Sequence, residues 1–136
     1  MKIGELALAA GCQVETVRYY EREGLLPVPN RSSGNYRLYA RGHLERLTFI
    51  RHCRSLDMTL AEVRWLLQKM DAPDENCGEV NALLDTHIAG IRRRMGELQT
   101  LQQQMIELRS FCSQERASKD CGILQGLAST LTGKII

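Results

Sequence analysis

From Val80 to Cys112 apolar residues recur with the period of a helix built to lie along another helix. Leu84, Ile88, Ile91, Met95 and Leu98 follow one another at steps of four, three, four and three residues. After a second consecutive step of three the stripe continues through Leu101, Met105, Leu108 and Cys112. A heptad seam with one stammer predicts a single long helix in a coiled coil. No proline interrupts it, and Arg92, Arg93, Arg94, Gln99, Gln102 and Gln103 fill most of the opposite face. Gly90 and Gly96 each cost roughly 1 kcal/mol relative to alanine, so local propensity alone does not hold this helix. It needs a partner.

Three of the five cysteines bracket that run: Cys77 before it, Cys112 at its end and Cys121 further on. If helical throughout, the chain from Cys77 to Cys112 spans about 52 Å, so the two thiols cannot share a ligand within one straight chain. Two copies paired antiparallel solve this. Cys77 of one subunit then faces Cys112 and Cys121 of the other, twice per symmetric dimer.

At 136 residues and 15.4 kDa the chain is one small domain, or two small lobes sharing a spacer helix. Apolar content of 43% and charged content of 25% are those of an ordinary globular chain. No run approaches transmembrane length, and the apolar patch at residues 6–10 is too short for a signal-peptide core, so the expected location is cytoplasmic. An odd number of cysteines in a reducing compartment points to metal or redox chemistry rather than a disulfide framework. Residues 1–64 carry a net charge of +3 and residues 65–136 a net −1. That mild bias does not establish nucleic-acid binding; the placement of the arginines matters more. Nothing pairs a nucleophile with a base, so an enzyme is not expected.

In chain order, residues 3–10 read as a short helix stopped at Gly11, and Val14–Glu23 as a second one stopped at Gly24, with Val14 and Val17 inward. The pair is a helix-turn-helix candidate. Pro27 and Pro29 end helical structure, and a polar turn around Ser32-Ser33-Gly34 leads into Tyr36-Arg37-Leu38-Tyr39, an alternating stretch expected to form a small β wing. Arg31, Tyr36 and Arg37 are the right types there to clamp phosphates and sugars. A helix from about His43 to Leu56 follows, then a capping box at Thr59-Leu60-Ala61-Glu62 opening a helix to about Met70. Asn76 is the expected N-cap of the long helix. It would place Cys77 in the first turn, at the positive end of the helix dipole.

The stretch Arg18-Tyr19-Tyr20-Glu21-Arg22-Glu23-Gly24-Leu25-Leu26, followed by Gly34-Asn35-Tyr36-Arg37-Leu38-Tyr39, closely resembles the MerR family of transcription regulators. Asp57-Met58-Thr59-Leu60-Ala61-Glu62 and Cys77-Gly78-Glu79-Val80-Asn81 look like its lead- and cadmium-responding branch, the PbrR/CadR type. The resemblance implies a mainly α fold: an N-terminal winged helix-turn-helix DNA-binding lobe, a long antiparallel coiled-coil dimerisation helix and a C-terminal metal-binding loop. The expected boundaries are 1–70 for the DNA-binding domain with its coupling helices, 71–79 for a linker, 80–112 for the dimerisation helix and 113–136 for the loop and tail. By resemblance Thr16, Arg18 and Tyr19 lie on the recognition helix, Tyr36 and Arg37 come from the wing, and Arg31 and Arg54 are further phosphate contacts. Cys77, Cys112 and Cys121 match the family's metal-binding cysteines; Cys12 and Cys53 do not, and read as small buried thiols.

Three thiolates without an evident fourth ligand favour a large soft cation over structural zinc, which almost always takes four tetrahedral ligands. Pb(II) fits, because its lone pair occupies the open side of a three-sulfur pyramid. Cd(II), Zn(II) and Hg(II) are the alternatives. The family's zinc sensors usually add cysteine or histidine in the loop after the long helix, where residues 113–120 have neither. Mercury sensors also use three cysteines, and cadmium relatives carry a His-rich tail that is missing here. His87 reads as an exposed or interface histidine rather than a ligand. The expected function is a homodimeric activator that binds double-stranded promoter DNA and acts on RNA polymerase indirectly, through the promoter. Outside the family the rivals are a thiol redox sensor and a metal-storage protein. An iron–sulfur sensor usually needs four grouped cysteines, and a storage protein has no use for the Arg/Tyr wing.

Overall fold

The computed structural model describes residues 1–129. Residues 130–136, the end of the expected loop and tail, lie outside the described residues. The chain forms two compact units, Met1–Asn76 and the part from Cys77 onward.

The first unit holds four helices, α1 (Ile3–Ala10), α2 (Val14–Arg22), α3 (Arg41–Ser55) and α4 (Leu60–Met70). Their inward faces meet in one aliphatic core. Leu6, Val17, Leu25, Leu26, Leu47, Ile50, Val63 and Leu67 are its most fully buried aliphatic members, and Tyr20 and Tyr39 are buried with them. Val14, Leu44 and Leu66 pack against that core from its edge, on the faces their helical spacing assigns them. Gly11 ends α1 in the left-handed region at φ 71°, which turns the chain sharply into α2.

Two arginines from other helices hold the end of α2. After Gly24, at φ 75°, the N–H groups of Leu25 and Leu26 return to the Tyr20 carbonyl at 3.0 and 3.2 Å. Arg64 of α4 donates to the Glu23 carbonyl at 2.8 Å, and Arg46 of α3 donates from Nε to the Leu25 carbonyl at 3.0 Å. Cations belong there, because the last carbonyls of a helix lack partners and carry its negative end. The capping box of α4 forms as its sequence predicts: the Glu62 N–H donates to Thr59 Oγ1 at 3.1 Å, and the Thr59 N–H to Glu62 Oε1 at 2.8 Å.

The expected β wing is smaller than a pair of strands. Among the described residues it is one antiparallel bridge, Arg31 to Arg37, closed by a turn in which Asn35 takes φ 64°. Pro27 and Pro29 remove two donors from the incoming side. At the far side Tyr39 pairs with the chain start instead: its N–H donates to the Met1 carbonyl at 2.7 Å, and the Met1 ammonium donates to the Tyr39 carbonyl at 2.8 Å.

The second unit consists of α5 (Gly78–Arg109), a 3-10 turn at Ser118–Asp120 and α6 (Gly122–Ala128). Helix α5 has 32 residues, about 48 Å at the standard rise. It is shifted slightly from the expected span. Cys77 is its N-cap residue, one position ahead of the first turn, and Cys112 lies just past the C-cap at Ser110. No residue of α5 is buried within the protomer. Leu84, Ile88, Ile91, Met95, Leu98, Leu101 and Met105 remain 42–60% exposed. Among the described residues no helix is long and apolar enough to cross a membrane.

Candidate nucleic-acid interface and thiol site

In the first unit α1, α2 and the wing gather cations around one open cleft. It is lined by Lys2, Ile3, Arg18, Arg31, Asn35, Tyr36 and Arg37. Arg18 leans on Glu15 at 3.2 Å, an exposed i,i+3 pair that water screens and a phosphate can displace. Arg31 donates to Asn35 at its carbonyl (3.3 Å) and its Oδ1 (3.4 Å), which aims the guanidinium along the turn. The Lys2 ammonium lies 4.9 Å over the Tyr36 ring. Tyr36 is 59% and Tyr19 37% exposed, as side chains that meet a partner must be. Thr16 is half-buried on α2. Arg54 is not among the residues lining the cleft: it stands at the end of α3, where its guanidinium donates to the Met58 carbonyl at 2.8 Å.

Helix α2 and the wing are joined by Glu21, a carboxylate with only 5% of its side chain exposed. The Tyr39 hydroxyl donates to Glu21 Oε1 at 2.6 Å, and Arg37 reaches Oε2 at 3.3 Å. A buried carboxylate satisfied on both oxygens fixes geometry, because removing either donor leaves one oxygen of a buried charge without its partner. Burial together with Glu21 pushes the Tyr39 phenol up to about 12. Sequence reading did not single out Glu21, Tyr39 or Lys2. For Glu21 a signal existed: it stands four residues after Val17, on the inward face, where a charge needs a partner.

In the second unit Cys112 and Cys121 come together. The two thiols lie near enough for Cys112 to influence the Cys121 sulfur, and the Cys112 thiol donates to the Gln114 carbonyl at 3.1 Å. The backbone N–H of Leu124 does most to hold the Cys121 thiol below the usual cysteine range. Desolvation opposes it; the Ile123 N–H, the Cys112 thiol and the Arg116 charge reinforce it. Low-pKa thiols of this kind are metal ligands and nucleophiles. Cys77 is exposed at the other end of α5. Among the described residues of one protomer no three His, Cys, Asp or Glu side chains gather as a metal-holding group. Cys53 is buried and Cys12 half-buried, and burial raises both thiols, which marks them as packing residues.

A helix-turn-helix lobe with a cationic cleft, a long helix with an uncovered apolar seam and thiols at both of its ends together fit a DNA-binding regulator with a candidate soft-ligand site. The chain belongs to the MerR family. The MerR HTH family regulatory protein model matches residues 1–70 and the MerR DNA-binding model residues 44–108. It is 50% identical over 109 residues to the ZntR homolog of Haemophilus influenzae, covering 80% of this chain and 81% of that protein. Among solved structures it resembles PbrR691 of Ralstonia metallidurans CH34 in complex with lead(II): 56% identity, TM-score 0.84, 94% of this chain and 99% of that one. It also resembles the Bacillus megaterium MB1 regulator MerR in complex with mercury(II): 29% identity, TM-score 0.70, 95% of this chain and 100% of that one. The family consists of transcription regulators, not enzymes, that bind promoter DNA as dimers.

Proposed function

We propose that the chain is a Pb(II)-responsive transcriptional activator whose effector sites are shared between subunits: Cys77 of one with Cys112 and Cys121 of the other. The observation that carries this reading is the layout of α5. One uninterrupted helix of 32 residues separates Cys77 from the Cys112–Cys121 pair, so each protomer holds two thirds of a site at one end and one third at the other. Antiparallel pairing along the apolar seam joins the fractions. Burying the half-exposed seam side chains adds on the order of 1 kcal/mol each toward the dimer. The donor set of three sulfurs suits a soft cation, and the likeness to the lead complex supports Pb(II).

Bound metal supplies a cross-link between the two ends of paired α5 helices. The protein's own residues do the rest. Thr16, Arg18 and Tyr19 of α2 enter the groove. Lys2, Arg31, Tyr36 and Arg37 grip the backbone, and Arg54 adds a phosphate contact from α3. A cross-link that fits one arrangement of the DNA-binding lobes better than the other shifts the equilibrium toward it; equal affinity for both shifts nothing. Untwisting a promoter costs a few kcal/mol, within the range thiolate coordination supplies. RNA polymerase then responds to the altered promoter, in the cytoplasm, where free thiols persist.

The 50% identity to a ZntR homolog favours Zn(II) as the second reading. Residues 113–120 hold no cysteine or histidine to complete a tetrahedral site, which weighs against it. In vitro transcription from the upstream promoter at buffered free metal decides between them. Pb(II) is expected to switch it on at lower free concentration than Zn(II) or Cd(II). Activation by Zn(II) at an equal or lower free concentration than Pb(II) overturns the lead assignment.

A further inference from the structure

The joint between the end of α5 and α6 is closer than the rest of the second unit, and the proposed function leaves it unexplained. Phe111 immediately precedes Cys112, and Gly122 immediately follows Cys121. A Cβ at Gly122 would land on the Phe111 carbonyl oxygen and come within 2.9 Å of its carbon and 3.2 Å of the Phe111 Cβ. One turn on, a Cβ at Gly126 would come within 2.9 and 3.0 Å of the Phe111 ring and 3.4 Å of Leu108 Cδ1. At Gly122 the clash is with backbone and only glycine fits, while at Gly126 any side chain forces the Phe111 ring to shift.

Helix α6 has seven residues and none of them is buried. A helix that short does not hold itself in water. This joint helps to keep it, together with Gln125 Nε2 donating to the Lys119 carbonyl at 3.2 Å, while Arg109 donating to the Cys112 carbonyl ties the start of the loop to the end of α5. Cys121 is the N-cap residue of α6, and its carbonyl accepts from the Gln125 N–H at 3.0 Å. Whatever seats α6 therefore seats the Cys121 sulfur.

We propose that Phe111, resting on Gly122 and Gly126, is a positioning residue that fixes Cys121 beside Cys112, so that two thiols stand arranged before the third arrives. The inference rests on the reading of Cys112 and Cys121 as metal ligands. Without the joint, the two sulfurs are linked only by a flexible loop, at the millimolar effective concentration of a short tether. With it the pair is pre-organised, and the ordering cost is met at folding rather than at binding.

The test reads the pair without metal. In the full-length dimer carrying Cys12→Ala, Cys53→Ala and Cys77→Ser, equilibration with reduced and oxidised glutathione sets the Cys112–Cys121 disulfide. The two thiols give two electrons and two protons to one oxidised glutathione, releasing two reduced ones. The equilibrium ratio is the effective concentration of one thiol toward the other. Phe111→Ala, which removes the ring over Gly126, and Gly126→Val, which crowds it, are each expected to lower that concentration about tenfold or more. In the otherwise wild-type chain both lower Pb(II) affinity in step, Phe111→Leu recovers part of the loss, and DNA affinity without metal stays unchanged. An effective concentration unchanged in both variants overturns the positioning role, and so does a fall with no loss of Pb(II) affinity. Pb(II) affinity untouched by Cys112→Ser and by Cys121→Ser overturns the ligand reading instead.

Discussion

Glu21 shows how one side chain sets the geometry of a surface it does not itself present. Its carboxylate is buried beneath the cationic cleft, and Tyr39 and Arg37 both close on it. The raised Tyr39 phenol turns this into a pH dependence. A folded-state pKa of about 12 against an ordinary value of 10 means the folded chain keeps a proton that the unfolded chain gives up between those values. The stabilisation is therefore fully present below pH 10 and lost as pH rises toward 12. Urea unfolding across that range is expected to show a steeper alkaline loss for wild type than for Tyr39→Phe. Equal slopes would mean that the phenol titrates alike in both states. None of this coupling is legible from the motif, because the partners stand 16 and 18 residues apart and meet only once the wing folds back on α2.

At the scale of elements, signals written within a few residues appear in the structure nearly where expected. Gly11, Gly24 and the Thr59–Glu62 box each end or begin a helix through backbone chemistry local to themselves. Thr59→Ala removes the acceptor for the Glu62 N–H and is expected to cost about 1 kcal/mol in thermal or urea unfolding, with little change in DNA affinity. A loss well beyond that would mean Thr59 does more than cap. The wing has less strand than its pattern suggests, because alternation in Tyr36–Tyr39 does not reveal which backbone it will pair with. Tyr39 pairs with Met1, and a single bridge is left. Both ends of α5 differ from the expected span by a few residues, since the seam reports which face is apolar and not where the last hydrogen bond closes. The Phe111–Gly122–Gly126 joint is invisible in the sequence for another reason. Its glycines look like flexible loop residues until the neighbour that excludes a Cβ is known.

At the scale of the molecule, the proposed antiparallel pairing answers two features of one protomer at once. Its longest helix buries nothing, and its thiols stand at opposite ends of that helix. The heptad period carries the first fact in the sequence, and the cysteine spacing carries the second. The cationic cleft is legible only in part. Arg18, Arg31, Tyr36 and Arg37 are drawn together as their residue types suggest, while Lys2 joins them from a position no pattern marks. Arg54 stands apart from them at the end of α3.

A mixed dimer tests the shared site most directly. Co-assembly of a Cys77→Ser subunit with a Cys112→Ser/Cys121→Ser subunit leaves one complete set of three thiols across the interface and none within either chain. This heterodimer is expected to bind Pb(II) with about half the wild-type stoichiometry and near wild-type affinity, while both mutant homodimers fail. A heterodimer as inert as its parents, beside a wild type that binds normally, would contradict a site shared across the dimer.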